Sequence, residues 1–546
     1  MQETSYTGYV TRTEWRWVFL MSITLLLFSF TPFIAIAVLN PPSADWQFMG
    51  ALHDYEDSAA SMARIRQGAE GNMLVQFAHT PEAHTGALIH PIYALLGQLS
   101  RLSIQSPILW FHLGRMVAAL FMYVAIYQLG ASIWVKINTR QIFFVIASIG
   151  SGFGWVYALL TQLTRAAIVP DLMLPQIYPF YSGAVNVHYP LTIACLAWLV
   201  GAIIPILRPG ETSEPSVSNS GLMVFLVSLL LAFVYPDALL PLSVAYVISV
   251  VIQWRVHRTI TMREVRWGLW ILVPALPLVA YDLLTLQSNP VVANWVLQRG
   301  GRVPSIPMLL LSLGLPLIIA LPALYRAVRR FEADGDRFML LWMLSMIILM
   351  YLPLQLDQYL LVGLMLPVAY FATRGVVDFW FERIKRRYRG WVYIILTPLL
   401  LLSHIFWLYL PVFPIVQGWS NVDGNVLEQD YIDAFDYLER EIRAGDVILA
   451  APDVGTWIPV WTDARPVYGH YAETMNANSK AQGVYTWYNS SGEACQSLLE
   501  TYHVRYVILG PRERRIGSGY CVFDLTLVAA SDNVNVYAVP RDSLPR

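Results

Sequence analysis

The sequence predicts a mostly α-helical, polytopic membrane protein with about eleven transmembrane helices, a large first outer loop and an α/β domain after the last span. Three observations carry this. Of 546 residues, 56% are hydrophobic and only 13% are charged, a balance suited to lipid rather than water. Apolar runs of roughly 17 to 25 residues recur, the length a helix rising about 1.5 Å per residue needs to cross about 30 Å of hydrocarbon. Past Pro414 the pattern shifts to short amphipathic and strand-like segments.

The apolar runs lie near residues 17–39, 108–135, 141–163, 190–207, 221–235, 238–254, 268–287, 306–325, 338–354, 358–373 and 391–416. Tyr235-Pro236-Asp237, between the fifth and sixth, reads as a tight turn or a re-entrant break. Ala35-Ile36-Ala37 resembles a signal-peptidase site, but the run before it is longer than a usual signal core and favours an uncleaved anchor. Cleavage would leave the remaining topology unchanged.

Orientation follows from the excess of Lys and Arg in cytoplasmic loops. With the N-terminus inside, the cytoplasmic segments hold nineteen basic residues and the outer ones six. The expectation is a multi-pass protein of the cytoplasmic membrane, with loop 40–107 and the C-terminal domain both extracytoplasmic. Residues 1–416 form the membrane module and 417–546 the outer domain. The polar stretch Arg208–Ser220 is a cytoplasmic linker by composition. Arg374–Gly390, with Lys385-Arg386-Arg387, is a basic juxtamembrane belt, read first as an orientation signal and also suited to anionic lipid head groups. A net charge of -1 and scattered basic clusters exclude nucleic acid as a partner.

In the outer domain Tyr431–Ile442 reads as an amphipathic helix, Asp446–Ala450 as a buried strand, and the neighbourhood of Glu493–Tyr502 as a second helix. Strands follow at Val504–Leu509 and near 522–528 and 534–539. Cys495 and Cys521 fall in this domain, where an oxidising compartment permits a disulfide; spacing alone leaves their pairing open. Cys195 falls in the fourth run. No glycine-rich phosphate fingerprint follows a strand.

Candidate chemistry concentrates in the first outer loop. Asp54, Glu56 and Asp57 supply three carboxylates within four residues. A carboxylate at a lipid–water interface can act as general base for an acceptor hydroxyl, or help hold a divalent metal such as Mg or Mn against a leaving phosphate. It can also simply cap a helix, and Asp57 stands where it would cap one over Ser58–Gln67. Arg115, His188, Asp237, Asp282 and Asp357 lie in or beside spans, toward the outer side. Ionisable groups there are costly in lipid and tend to line cavities. Arg115 stands about 12 Å along its helix from Pro107. Its forked donors suit a phosphate, or a carboxylate on another span.

Several motifs resemble one family. Asp57-Ser58, Ala63-Arg64-Ile65-Arg66-Gln67-Gly68-Ala69-Glu70-Gly71 and Thr80-Pro81-Glu82-Ala83-His84-Thr85-Gly86 stand in the first loop. Phe111-His112-Leu113-Gly114-Arg115, Pro170-Asp171-Leu172, Asn186-Val187-His188 and Tyr468-Gly469-His470-Tyr471-Ala472-Glu473-Thr474 follow in order. With these the chain resembles the GT-C-type membrane glycosyltransferases, in an uncharacterised bacterial branch. The resemblance implies a GT-C-like module and a polyprenyl-phosphate-linked monosaccharide as donor, used at the outer face of the membrane. It implies a catalytic first-loop Asp near the reacting centre, as base or metal ligand, the position Asp57 matches, with Glu82, His84 and Asp171 around the donor phosphate or the acceptor, and Arg115 beneath them. Asp54, Glu56 and His188 join these as substrate-binding candidates by position. The acceptor could be a glycan, a lipid or a protein. Competing readings are a non-catalytic sugar-lipid-binding relative and a secondary transporter, the latter disfavoured because no internal repeat is visible.

Overall fold

A computed structural model of the chain describes residues 8–39, 45–161, 169–207, 220–258, 262–300, 303–332, 335–353, 357–418, 424–492 and 494–540. The linker expected at 208–220 lies outside them but for its last residue, as do residues 1–7 and 541–546. Among the described residues nine helices are long and apolar enough to cross a membrane, from Arg12–Val38 to Arg386–Tyr409. The fifth and ninth of the eleven apolar runs are also helical but shorter, at Ser220–Val234 and Gly335–Met350. The chain is a polytopic, mainly helical membrane protein with a C-terminal α/β region. It divides into two compact units, each built from separated stretches.

The first unit takes Met1–Thr31, Leu113–Leu283 and Gly300–Tyr409 and carries a continuous apolar core. Its third apolar run, expected as one helix, breaks between Ile137–Ile149 and Gly154–Leu160. The break docks on a kink at Gly314, whose φ of 36° suits glycine. A Cβ on Gly314 would stand 2.7 Å from the Cα of Gly152, so two backbones meet where neither residue can carry a side chain. Phe153 N–H donates to the Leu311 carbonyl across this approach at 3.0 Å. Tyr235-Pro236-Asp237 resolves as a short 3₁₀ turn, Pro236–Ala238, between two helices.

Two clusters of buried or half-buried charge in this unit are paired. Arg140 bonds Glu14 at 2.8 Å and the carbonyls of Trp134 and Tyr9 at 2.7 and 2.8 Å, and Tyr127 donates to Glu14 at 2.7 Å. Arg374 pairs with Asp336, and Arg326 with Asp378 at 2.8 Å. Desolvating an ion costs several kcal/mol unless a partner and further hydrogen bonds compensate, and both clusters supply them.

The second unit takes Pro32–His112, Leu284–Arg299 and Leu410–Arg546. β1 (Trp46–Phe48) of the first loop pairs antiparallel with β2 (Val426–Glu428), Gln47 opposite Leu427. The other five strands are β3 (Val447–Leu449), β4 (Arg465–Pro466), β5 (Val504–Leu509), β6 (Thr526–Ala530) and β7 (Asn535–Ala538). They form one sheet ordered β4-β3-β5-β7-β6. β3 runs parallel to β4 and β5, while β7 is antiparallel to both β5 and β6.

The helix read at Tyr431–Ile442 is Gln429–Glu441, and the one near Glu493–Tyr502 is Ala494–Thr501. The strand expected near 522–528 begins only at Thr526. Residues Tyr520–Asp524 instead form a 3₁₀ turn, entered through Gly519 at φ 63°. Cys521 in that turn is disulfide-bonded to Cys495, Cα to Cα 5.3 Å, tying the turn to the helix Ala494–Thr501. A further helix, Ala477–Asn489, was not among the expected elements.

Candidate functional site

The first loop supplies a helix, Tyr55–Ala69, rich in good helix formers. It starts three residues before the expected Ser58. Asp54 occupies the N-cap position in the left-handed region, φ 46°, so Asp57 lies inside the first turn and is not the cap. Left-handed geometry is open to Asp more readily than to most side chains. Glu56 and Asp57 in the first turn and Arg66 in the last complement the helix dipole. The helix crosses Pro91–Ser100 at glycines: a Cβ on Gly68 would stand 2.3 Å from the Ala94 carbonyl, and one on Gly97 2.1 Å from that of Ile65. This contact fixes the helix axis, and with it where the first-turn carboxylates project.

Those carboxylates meet the turn after β4. The Asp57 side chain is 57% exposed, yet His470, 1% exposed, places Nε2 3.1 Å from its Oδ1. The Tyr471 hydroxyl donates to Asp57 Oδ2 at 3.3 Å, and the Tyr471 amide donates to Glu56 at 3.0 Å. Asp57 and His470 are 413 residues apart in sequence. The turn is itself braced. Glu473, buried, pairs with Arg64 of the same helix and accepts from His79 Nδ1 at 3.1 Å. His79 Nε2 faces the Thr456 carbonyl at 3.0 Å, so both ring nitrogens are engaged. The Thr474 hydroxyl donates to the His79 carbonyl at 2.6 Å and accepts the amides of Gly469 and His470 at 3.2 and 3.1 Å.

Electrostatics match this bracing. Burial alone would raise the Glu473 carboxyl, but the Arg64 guanidinium and the His79 ring pull it down to about 2. Burial opposes a charge on His470, whereas Asp57, Glu473 and Glu56 favour one, and the balance lies above its ordinary value. His470 Nδ1 accepts the amides of Ala472 and Glu473, each at 3.0 Å. A singly protonated ring therefore carries its proton on Nε2, where it is donated to Asp57.

Glu82 and His84 occupy a neighbouring loop of the same unit, and their polar atoms are engaged there. Lys480 reaches Glu82 at 2.5 and 2.6 Å and Thr80 donates to it; together they overcome burial and hold this carboxyl below its usual range. His84 Nε2 accepts the Phe77 amide and Nδ1 donates to the Glu82 carbonyl, both at 2.9 Å, while burial pushes the ring down.

Arg115, Asp171 and His188 belong to the first unit. Arg115, 1% exposed, donates to the Ala184 carbonyl and stands 4.5 Å from the Phe30 ring centre. Asp171 is fully buried; its Oδ2 accepts the Gly154 amide at 3.0 Å and the Ser403 hydroxyl at 2.7 Å, holding the helix restart after the break at Gly152. His188 packs its ring 4.2 Å from Tyr189 and 6.0 Å, nearly parallel, from Tyr235. Thus Asp54, Glu56 and Asp57 stand at one helix end, Glu82 and His84 on a neighbouring loop, and the other three in the helical unit.

Sequence reasoning did not single out His470, Tyr471, Glu473, Arg64 or His79 as site residues. The only signals were the motifs at 63–71 and 468–474, which carried no indication that they meet. A divalent metal is not supported by the residues present. Among the described residues no three His, Cys, Asp or Glu side chains gather as ligands, and the partners given above for Asp57 are hydrogen-bond donors.

No family model matches the chain, and no curated protein matches it. Solved structures do resemble it. ArnT from Cupriavidus metallidurans in the apo state is 13% identical, with 98% of this chain and 99% of that one aligned at a TM-score of 0.50. The same protein bound to undecaprenyl phosphate gives 12%, 98%, 100% and 0.48. The archaeal oligosaccharyltransferase AglB from Archaeoglobus fulgidus, in complex with an inhibitory peptide and a dolichol-phosphate, gives 12%, 96%, 75% and 0.49. At such identities the likeness is one of fold.

Proposed function

We propose, for a chain with the fold of the GT-C-type membrane glycosyltransferases, that it transfers a monosaccharide from a polyprenyl-phosphate-linked donor to an acceptor hydroxyl at the outer face of the cytoplasmic membrane. The observation that carries this is Asp57: an exposed carboxylate in the first turn of a helix, oriented by a buried histidine and a tyrosine from the far end of the chain. A general base needs an accessible lone pair held in one direction, and this carboxylate has both.

The donor class rests on the loop motifs, and lipid solubility makes it coherent. A prenyl tail stays in hydrocarbon while its phosphosugar reaches water, and the membrane surface meets both demands. Asp57 takes the proton of the acceptor hydroxyl as its oxygen attacks the anomeric carbon. The bond to the lipid phosphate breaks, and the phosphate leaves with the electron pair. Direct displacement inverts the anomeric configuration. Asp54 and Glu56 flank the acceptor. Glu82 and His84, and Asp171 through Oδ2, act through the loops and helix break they hold.

Two further features support the outer placement. The first loop and the C-terminal segment share one compact unit, as the basic-loop count requires of two segments in one compartment. The Cys495–Cys521 disulfide fits an oxidising compartment.

Purified protein is to be assayed with a panel of labelled polyprenyl-phosphate sugars and glycan, lipid and peptide acceptors, beside Asp57→Asn. Loss of a general base lowers turnover by about 10²- to 10⁴-fold. Undiminished transfer by Asp57→Asn would falsify the assignment of the base, and a product with retained anomeric configuration would exclude direct displacement.

A further inference from the structure

We propose that His470, assisted by Tyr471, is a positioning residue for Asp57: the turn after β4 holds the first-loop carboxylate in the orientation and charge state a base requires. This rests on Asp57 as the base and extends the site to the C-terminal part of the chain.

An exposed aspartate can turn about its side-chain bonds, and the Asp57 helix alone does not stop it. Two donors from consecutive residues do, the His470 Nε2–H on Oδ1 and the Tyr471 hydroxyl on Oδ2. His470 cannot swing away. Its Nδ1 holds two backbone amides, its ring stacks 4.7 Å from Tyr471 and stands 5.7 Å from His79, and it is 1% exposed. Nor can the turn drift, because Glu473 anchors it to Arg64. Arg64 lies seven residues beyond Asp57 on one helix face, about 10 Å along the axis. One turn thus grips the base-bearing helix at two points, one buried and ionic, the other at the solvent edge.

The charges around Asp57 explain why donors are needed. Asp54 and Glu56 share its segment, and Glu473 stands behind His470, so neighbouring negative charge favours a protonated, inert Asp57. Opposing it are the His470 N–H, the Tyr471 O–H and the N-terminal end of the helix; Arg64 and His79 offset Glu473.

The test reads Asp57 itself and does not need the natural substrate. The full-length protein in lipid nanodiscs is labelled with a water-soluble carbodiimide and glycine ethyl ester, which modify protonated carboxyls. Labelling of the Asp57 peptide is followed by mass spectrometry across pH, with Asp57→Asn as the assignment control. The labelling midpoint is expected to rise by about one unit in His470→Phe, which keeps a ring and loses the donor. It is expected to rise less in His470→Gln, whose amide restores a donor but no charge, and to rise by about half a unit in Tyr471→Phe. Where transfer is measurable, the acid limb of its pH profile moves with the midpoint. A midpoint unmoved in both His470→Phe and Tyr471→Phe overturns the proposal. If thermal melts show His470→Phe unfolded, the exposed-side change Tyr471→Phe decides alone. Transfer that survives Asp57→Asn would remove the base while leaving the labelling result standing, so the two failures are distinguishable.

Discussion

In the helical unit the buried Glu14–Arg140 pair closes on itself, whereas in the second unit a buried pair supports an exposed charge. Glu14 and Arg140 are 2% and 0% exposed and neutralise one another among carbonyls and a tyrosine. Asp171, equally hidden, accepts two donors that mend a helix break. Arg64 and Glu473 are just as buried, but their pairing fixes a turn whose next contact is the solvent-facing Asp57. Burial excludes a group from proton exchange with a hydroxyl in water. It does not exclude the group from deciding where an exposed neighbour points.

The largest expected effect comes from breaking that support. Arg64→Met strands the Glu473 carboxylate in the interior, and removing one partner of a buried pair costs about 3–5 kcal/mol. A chemical-denaturation midpoint in detergent measures it, with Arg140→Met in the helical unit as the matched control. A cost under about 1 kcal/mol for Arg64→Met would mean the pair braces nothing. The same pair gives a pH dependence with a definite sign. The folded Glu473 value of about 2 lies below the unfolded value near 4.3. Its contribution is therefore fully present above about pH 4.3 and disappears as pH falls toward 2. Glu473→Gln is expected to flatten that part of the acid-unfolding curve.

A middle-sized effect separates the two acids that the sequence suggested together. Asp171→Asn keeps an acceptor for Gly154 and Ser403, so it is expected to cost about 1 kcal/mol and to lower transfer by less than about tenfold. Asp57→Asn removes the proposed base and is expected to lower transfer by about 10²- to 10⁴-fold. Gly154→Ala attacks the same helix break more severely, because its Cβ would stand 2.1 Å from Asp171 Oδ1; about 1–3 kcal/mol is expected from the overpacking. Melting temperature and turnover together test this. An Asp171→Asn protein that is folded yet inert would place the buried acid in the chemistry and erase the distinction between the units.

Spans, their approximate limits and two main C-terminal strands were legible because apolar length and periodicity are local properties of the chain. The break at Gly150–Phe153 was not, since an apolar run looks the same whether it is one helix or two. Its cause, the approach of Gly152 to Gly314, is a contact between distant segments. Asp57 was legible as part of an acidic cluster beside the membrane. That Asp54 rather than Asp57 starts the helix was not, because the left-handed conformation of Asp54 leaves no mark in residue type. His470 and Glu473 lay in a motif, but only folding brings them to Asp57 and Arg64, and one sequence does not encode that distance in any countable spacing.

The smallest expected effect concerns a surface acid at the other end of the Asp57 helix, where support of the Glu473 kind is lacking. Glu70 stands near Arg66, which also meets Asp463 at 2.9 Å and pairs with Glu439. Burial, then the charge of Asp463 and a hydrogen bond to it, raise Glu70 to about 7. The sign is opposite to that of Glu473. A carboxyl whose folded value exceeds its unfolded one contributes stability below the unfolded value, near 4.3, and loses it as pH rises through 7. Because Glu70 is 42% exposed, solvent screens the effect, and a change of about 1–2 °C in melting temperature is expected between pH 5 and 8. Glu70→Gln keeps a hydrogen bond for Asp463 without titrating, so its melting temperature is expected to stay level across that window. If wild type and Glu70→Gln follow one curve, Glu70 and Glu473 do not differ as described. The solvent edge at Glu70 would then be as indifferent to pH between 5 and 8 as the buried Glu473.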